Sequence, residues 1–180
     1  MTLELERRYL PLNLPADLTK HPWKEVHDIY VPHENGHPTL RIRKNGSKHE
    51  ITRKQPRADN PSEMNEETIP ITETEFETLK CIPGLSVRKH RFFYPYRGIQ
   101  LEIDVFLDQL DGLVVVEAEF DSIEQKNAFE IPRFCLCEVT GKEFIAGGKI
   151  CGKKYSDIAT ELSKLGYQPQ THARLETKKP

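Results

Sequence analysis

At 180 residues the chain is long enough for one domain with a substantial buried core. Lys and Arg number 26 against 28 Asp and Glu, a net charge of -2. Bulk charge therefore predicts neither nucleic-acid binding nor attraction to a membrane, and any anion site has to come from local arrangement. No apolar run reaches the roughly 18 residues of a membrane span. The charged start MTLELERRYL also lacks the apolar stretch of a secretory signal, so a cytoplasmic protein is expected.

In chain order, alternating segments separated by turn residues predict strands near 2–9, 25–31, 39–44, 48–54, 86–94, 99–107, 112–120 and 136–140. Asn45-Gly46 between LRIRK and KHEITRK predicts a hairpin, and Arg97-Gly98 and Asp111-Gly112 predict further tight turns. Residues 55–66 (QPRADNPSEMNE) read as a mobile polar loop. Thr72-x-x-Glu75 and Ser122-x-x-Gln125 are capping patterns that open two helices. A third helix starts at Ser156-Asp157, with Ile158, Ala159, Leu162 and Leu165 at helical spacing. The chain thus reads as a single domain over 1–167, followed by a polar, flexible tail over 168–180. Cys81, Cys135, Cys137 and Cys151 match no common zinc spacing and are expected as free thiols. The seven histidines show no ligand spacing either and are expected on loops or the surface.

The chemistry lies in which face of each strand holds charge, since residues two apart share a face. Glu4, Glu6 and Arg8 share one, opposite Leu3 and Leu5. Arg41 with Arg43, Thr52 with Lys54, and Lys89 with Arg91 align likewise, while Arg88 falls on the opposite face. Glu102 and Asp104 oppose Leu101, Ile103 and Val105, and Glu117 and Glu119 oppose Val116, Ala118 and Phe120. A sheet with its charged side in water would show the same alternation. Acids and bases are, however, sorted by strand, and like charges at neighbouring positions repel unless something neutralises them. The alternative is a barrel with the charge inside and three amphipathic helices covering its apolar outside. Enclosed carboxylates stay ionised beside a divalent cation, and oxygen-only ligands favour magnesium or manganese over zinc. The facing bases suit a polyanion, because the guanidinium fork matches phosphate oxygens.

The same residues carry a resemblance. Glu4-Leu5-Glu6-Arg7-Arg8 resembles the N-terminal ExExK signature of the CYTH, or triphosphate tunnel metalloenzyme, superfamily, with arginine in place of the final lysine. HDIYVPHENGHPTLRIRKNGSKHEITRK, Lys89-His90-Arg91, LEIDVF, VEAEF and the closing IPRFCLCEVTGKEF and KKYSDIATEL are similar to its later strands and terminal helix, over about residues 2–165. The resemblance implies a mainly β (α+β) fold: a closed antiparallel eight-stranded β-barrel tunnel with a charged interior and helices packed outside. It implies magnesium or manganese held by Glu4, Glu6, Asp104, Glu117 and Glu119. The triphosphate would be held by Arg8, Arg41, Arg43, Lys54, Lys89 and Arg91, with Arg8, Tyr30, Glu117 and Glu119 nearest the reaction. A guanidinium stays protonated, so Arg8 can grip phosphate but cannot act as a base. The activity implied is metal-dependent hydrolysis of an inorganic, organic or nucleoside triphosphate. Formation of cyclic AMP by a class IV-type adenylyl cyclase and non-catalytic binding of polyphosphate or nucleotide are the alternatives. The expected partner is a triphosphate-containing small molecule, with no nucleic acid and no membrane; a homodimer is left open.

Overall fold

The computed structural model describes residues 5–31, 40–56 and 64–170, without the side chains of 54–56, 64–66 and Gly147. Nine strands form one antiparallel sheet: β1 (Leu5–Pro11), β2 (Trp23–Val31), β3 (Leu40–Asn45), β4 (Lys48–Pro56), β5 (Met64–Ile71), β6 (Leu85–Tyr96), β7 (Ile99–Phe106), β8 (Val114–Phe120) and β9 (Cys135–Glu138). Their order is β5-β4-β3-β2-β6-β7-β8-β1-β9. Among the described residues four α-helices accompany it: α1 (Glu73–Leu79), α2 (Ile123–Ala128), α3 (Gly147–Ile150) and α4 (Tyr155–Lys164).

The expected closed eight-stranded barrel is corrected on two counts. Residues 64–71 form an additional strand, and among the described residues β5 and β9 remain unpaired edges, so the sheet is open. The edges themselves explain this. β9 is only four residues long and meets β1 across an irregular register at Leu10/Pro11, while β5 carries Pro70, which has no N–H to donate. The loop expected over 55–66 shrinks accordingly: β4 runs to Pro56, β5 starts at Met64, and 57–63 lie outside the described residues.

Turn chemistry sets the registers. Asn45 pairs with Lys48, so the hairpin loop is Gly46-Ser47, one residue later than expected, with Gly46 at φ +63°. Arg97 and Gly98 both take positive φ (48° and 80°) between the paired Tyr96 and Ile99, as a mirror-image two-residue turn requires. The first two helices follow their caps. Thr72 accepts from the Glu75 amide while Glu75 accepts from the Thr72 amide, and the Ser122 hydroxyl accepts from the Gln125 amide.

Apolar side chains form three cores. The outward face of β7 and β8 (Leu101, Ile103, Val105, Val116, Ala118 and Phe120) packs with Tyr9, Leu18 and Phe129. On the same face at the other end of the sheet, α1 lays Phe76 over Ile29 and Ile42. The third core corrects an expectation, because α4 does not lie outside. Leu10, Val87, Phe106 and Val115 share the face of Arg8, Lys89, Asp104 and Glu117 by two-residue periodicity, and they pack with Ile150, Ile158 and Leu162. One end of the charged face is therefore floored with apolar side chains. An amphipathic stripe specifies an apolar partner without saying on which face that partner lies, hence the difference.

Of the expected tail, Gln168–Gln170 remain with the fold. Gln170 pairs with Gly112, and the buried Tyr167 hydroxyl donates to the Gly112 carbonyl (2.8 Å) while accepting from the Val114 amide (2.8 Å). Residues 171–180 lie outside the described residues. All four cysteines are free thiols. Three histidines depart from the loop expectation: His27, His49 and His90 are strand residues, and His49 is buried against Phe76 with its ring 5.2 Å away.

Candidate active site

Strand register places the candidate residues side by side. On one face, Glu6 opposes Glu119, Arg8 opposes Glu117, and Glu117 opposes Glu102. Arg91 opposes Asp104, Arg43 opposes Asp28, and Arg41 lies between Tyr30 and Thr52. With Glu50 of β4 opposite Arg43 on its other side, a band of acids and bases thus crosses seven strands, from β4 to β1.

Its centre is Arg91. The guanidinium donates to Asp104 through Nε and Nη2 (both 2.7 Å) and to Glu117 through Nη2 (2.8 Å), and it also contacts Glu102. Asp104 is 1% exposed and also accepts from Lys89, so both its oxygens are occupied. Burial by itself would raise the Asp104 pKa, but Lys89 and Arg91 outweigh it and hold the carboxyl well below the usual range. The network continues to Arg8, which lies 3.2 Å from Glu117 and 3.0 Å from Glu6.

Glu102 behaves differently. Burial raises its pKa; Arg91 opposes that, and the neighbouring Asp104, Glu119 and Glu117 carboxylates push it further up. Its Oε2 is buried without a hydrogen bond, because the contact with Arg91 falls outside hydrogen-bond geometry. Glu102 and Glu119 line a polar recess of about 230 Å³ with Gly98, Gln100, Asp121 and Gln125.

At the other end of the band, Asp28 receives a two-pronged bond from Arg43, Nε to Oδ1 at 2.6 Å and Nη2 to Oδ2 at 2.7 Å. Burial raises the Asp28 pKa, but Arg43 overrides it and keeps the carboxyl ionised. Burial together with the Asp28 carboxylate raises the Tyr30 hydroxyl pKa against the opposing Arg41 and Arg43, so it is a neutral phenol at physiological pH. The Nε of Arg41 is buried with no hydrogen-bond partner, and among the described residues no carboxylate pairs with this cation.

The structure thus brings together Glu6, Arg8, Tyr30, Arg41, Arg43, Lys89, Arg91, Asp104, Glu117 and Glu119 on one face. Lys54 has its backbone on β4 opposite Glu66, but its side chain is not described, and Glu4 lies outside the described residues. Asp28 was missed as a site residue, although alternation placed it two residues from Tyr30 and therefore on the same face. Glu102 was counted among the aligned acids without a role. The donor chemistry fits a hard divalent cation. Glu6 faces Glu119 and Glu102 faces Glu117 as like charges, and all four supply oxygen donors of the kind such an ion takes. Among the described residues no group of three or more His, Cys, Asp or Glu is gathered as a preformed metal cage, because Arg8 and Arg91 occupy the space between the carboxylates.

The family model of the CYTH domain matches residues 2–134. The chain belongs to the CYTH family. Membership in this family of triphosphate tunnel metalloenzymes implies dependence on a divalent metal. Among solved structures, the inorganic triphosphatase NE1496 is similar at 26% identity and TM-score 0.65, with 85% of this chain and 97% of that one covered. A second structure, described as the hypothetical protein NE1496, gives 26% identity and TM-score 0.66 over 84% and 99%. HpAC1 from Hippeastrum, said to show a dominant triphosphatase activity, is 12% identical with TM-score 0.45 over 94% and 91%, too distant to bear on this CYTH chain. A comparison with curated proteins gives no match. No described helix is long and apolar enough to cross a membrane.

Proposed function

We propose that this CYTH chain hydrolyses a triphosphate with magnesium or manganese, the scissile phosphate lying over Arg91 and Arg8. The observation that carries the reading is the band itself: guanidinium groups of four arginines and the facing carboxylates share one face. The likeness to an inorganic triphosphatase makes inorganic triphosphate the first substrate to test.

Arg41 and Arg43 would bind one end of the phosphate chain, and Arg91 and Arg8 the bridging and reacting groups. Planar forks suit this because each takes two oxygens at once and stays charged throughout. Fixed cations neutralise the charge that develops on the equatorial and leaving oxygens, where preorganisation counts most. Glu6, Glu102, Glu117 and Glu119 would hold the divalent cation, which when bound supplies charge neutralisation and a lowered pKa for water. Arg8 contributes no proton transfer, while the neutral Tyr30 hydroxyl is available as a donor.

The test is phosphate release from tripolyphosphate, ATP and thiamine triphosphate with each metal. Release from at least one, falling about a hundredfold or more in Glu117→Gln, is the expected outcome. Absence of release from all three with both metals sinks hydrolysis; tight binding without turnover would instead make the chain a triphosphate binder.

A further inference from the structure

Two aspartates in the band are built alike. Asp28 and Asp104 are 4% and 1% exposed, and each lies directly across from an arginine on the adjacent strand, Arg43 and Arg91. Each accepts from the same edge of its partner: Nε to Oδ1 at 2.6 and 2.7 Å, and Nη2 to Oδ2 at 2.7 Å in both. Two parallel bonds to a planar group fix its plane as well as its position. They leave Nη1 out of the pair. A third arginine on the face, Arg41, has Tyr30 and Thr52 opposite it instead of an aspartate, and its Nε has no acceptor.

We infer that Asp28 is a positioning residue, which sets the Arg43 fork for a phosphate as Asp104 sets that of Arg91. This rests on reading the charged face as a triphosphate site. Arginine on a flexible stem loses rotamer freedom when it binds an anion, and a fork already held in plane has lost that freedom beforehand. The carboxylate that does the holding is itself kept ionised: burial works against the charge, but its own arginine outweighs burial and depresses the aspartate pKa. The opposing account is that Asp28 merely quenches a buried cation. The two accounts differ in sign: removing a quencher frees positive charge and tightens phosphate binding, whereas removing an orienting group weakens it.

Asp28→Asn preserves shape and removes the charge. Binding of a methylene-bridged, non-hydrolysable triphosphate with magnesium is measured by calorimetry for the full chain, Asp28→Asn, Arg43→Lys and the double variant, with urea unfolding as the control for folding. The expected result is affinity about ten- to a hundredfold weaker in Asp28→Asn, the range typical when an orienting partner is lost. In the Arg43→Lys background, where no fork remains to orient, Asp28→Asn should have no further effect. Unchanged or tighter binding in folded Asp28→Asn overturns the inference, as does full additivity in the double variant. Should Asp28→Asn fail to fold, Asp28→Glu retains the charge and displaces the fork; weakened binding there supports positioning and unchanged binding refutes it. If the unmodified chain itself binds no triphosphate, the functional reading fails and this inference with it, an outcome distinct from wild-type binding that Asp28→Asn leaves intact.

Discussion

Arg91 is a cation with three carboxylates around it and a side chain only 13% exposed. Removing one partner from such a group leaves the others buried and uncompensated, a far larger loss than the net contribution of the intact pairs. Arg91→Met should therefore cost about 3–5 kcal/mol in urea unfolding, even though methionine fits the volume. Acid acts on the same residues with a definite sign. Asp28 and Asp104 have folded pKa values below the ordinary 3.8, so their contribution is fully present above 3.8 and is lost as pH falls below it. A far-UV circular dichroism titration should show Asp104→Asn, weaker at neutral pH, losing less of its stability than the parent between pH 4 and pH 2, as expected when the linked proton uptake is removed. At this scale the sequence was legible where charge recurred on alternate residues, as in Arg41 and Arg43 or Glu117 and Glu119. For Asp28, between Val26 and Tyr30, the face was legible from the same spacing but the role was not, because it depends on a partner one strand away.

Helix α1 shows how an element on the far side of the sheet bears on the site. Its one buried residue, Phe76, rests on β2, β3 and β4, whose opposite faces carry Asp28, Arg43 and Thr52. Phe76→Ala should cost about 3–5 kcal/mol, and Thr72→Ala about 1 kcal/mol through the lost cap, both read from urea unfolding. Beneath the helix runs a row of bases: His27 opposes Lys44, and Lys44 opposes His49, with Glu73 of α1 3.9 Å from Lys44. Burial lowers the His27 pKa, Arg88 and Lys80 lower it further, and Asp28 and Glu25 oppose them. The unfolded chain therefore takes up the proton first, and stability falls as pH drops from about 6.5 toward the lower folded value. Amides of α1 should lose hydrogen-exchange protection at pH 5.5 relative to pH 8, and His27→Gln should abolish that difference in part. The capping box made α1 legible, since Thr72 and Glu75 announce it. Strand β5 was not legible: MNEETIPI is polar and contains Pro70, and only its pairing with β4 makes it a strand.

For the whole molecule, the matched family region ends at residue 134, yet the C-terminal part completes the third core. Ile158 and Leu162 of α4 pack with Leu10, Val87 and Val115, and Tyr167 ties the chain back to Gly112 and Val114. A chain truncated after Lys154 should lose cooperative unfolding in urea, since it would expose apolar side chains at the end of the charged face. Tyr167→Phe should cost about 1–3 kcal/mol, because two buried backbone groups lose a partner. The antiparallel, mainly β architecture and the sorting of charge to one face were legible from two-residue alternation. Closure and the seat of α4 were not, because both depend on contacts between segments far apart in sequence, which local patterns do not record.

The apolar floor also sets the direction of traffic. Among the described residues, Leu10, Val87, Phe106 and Val115, backed by α4, make that end of the band apolar. An anion seated over Arg91, as proposed above, would have to withdraw away from that apolar end. On the proposed function, the products of hydrolysis would therefore leave on the side from which the next substrate enters.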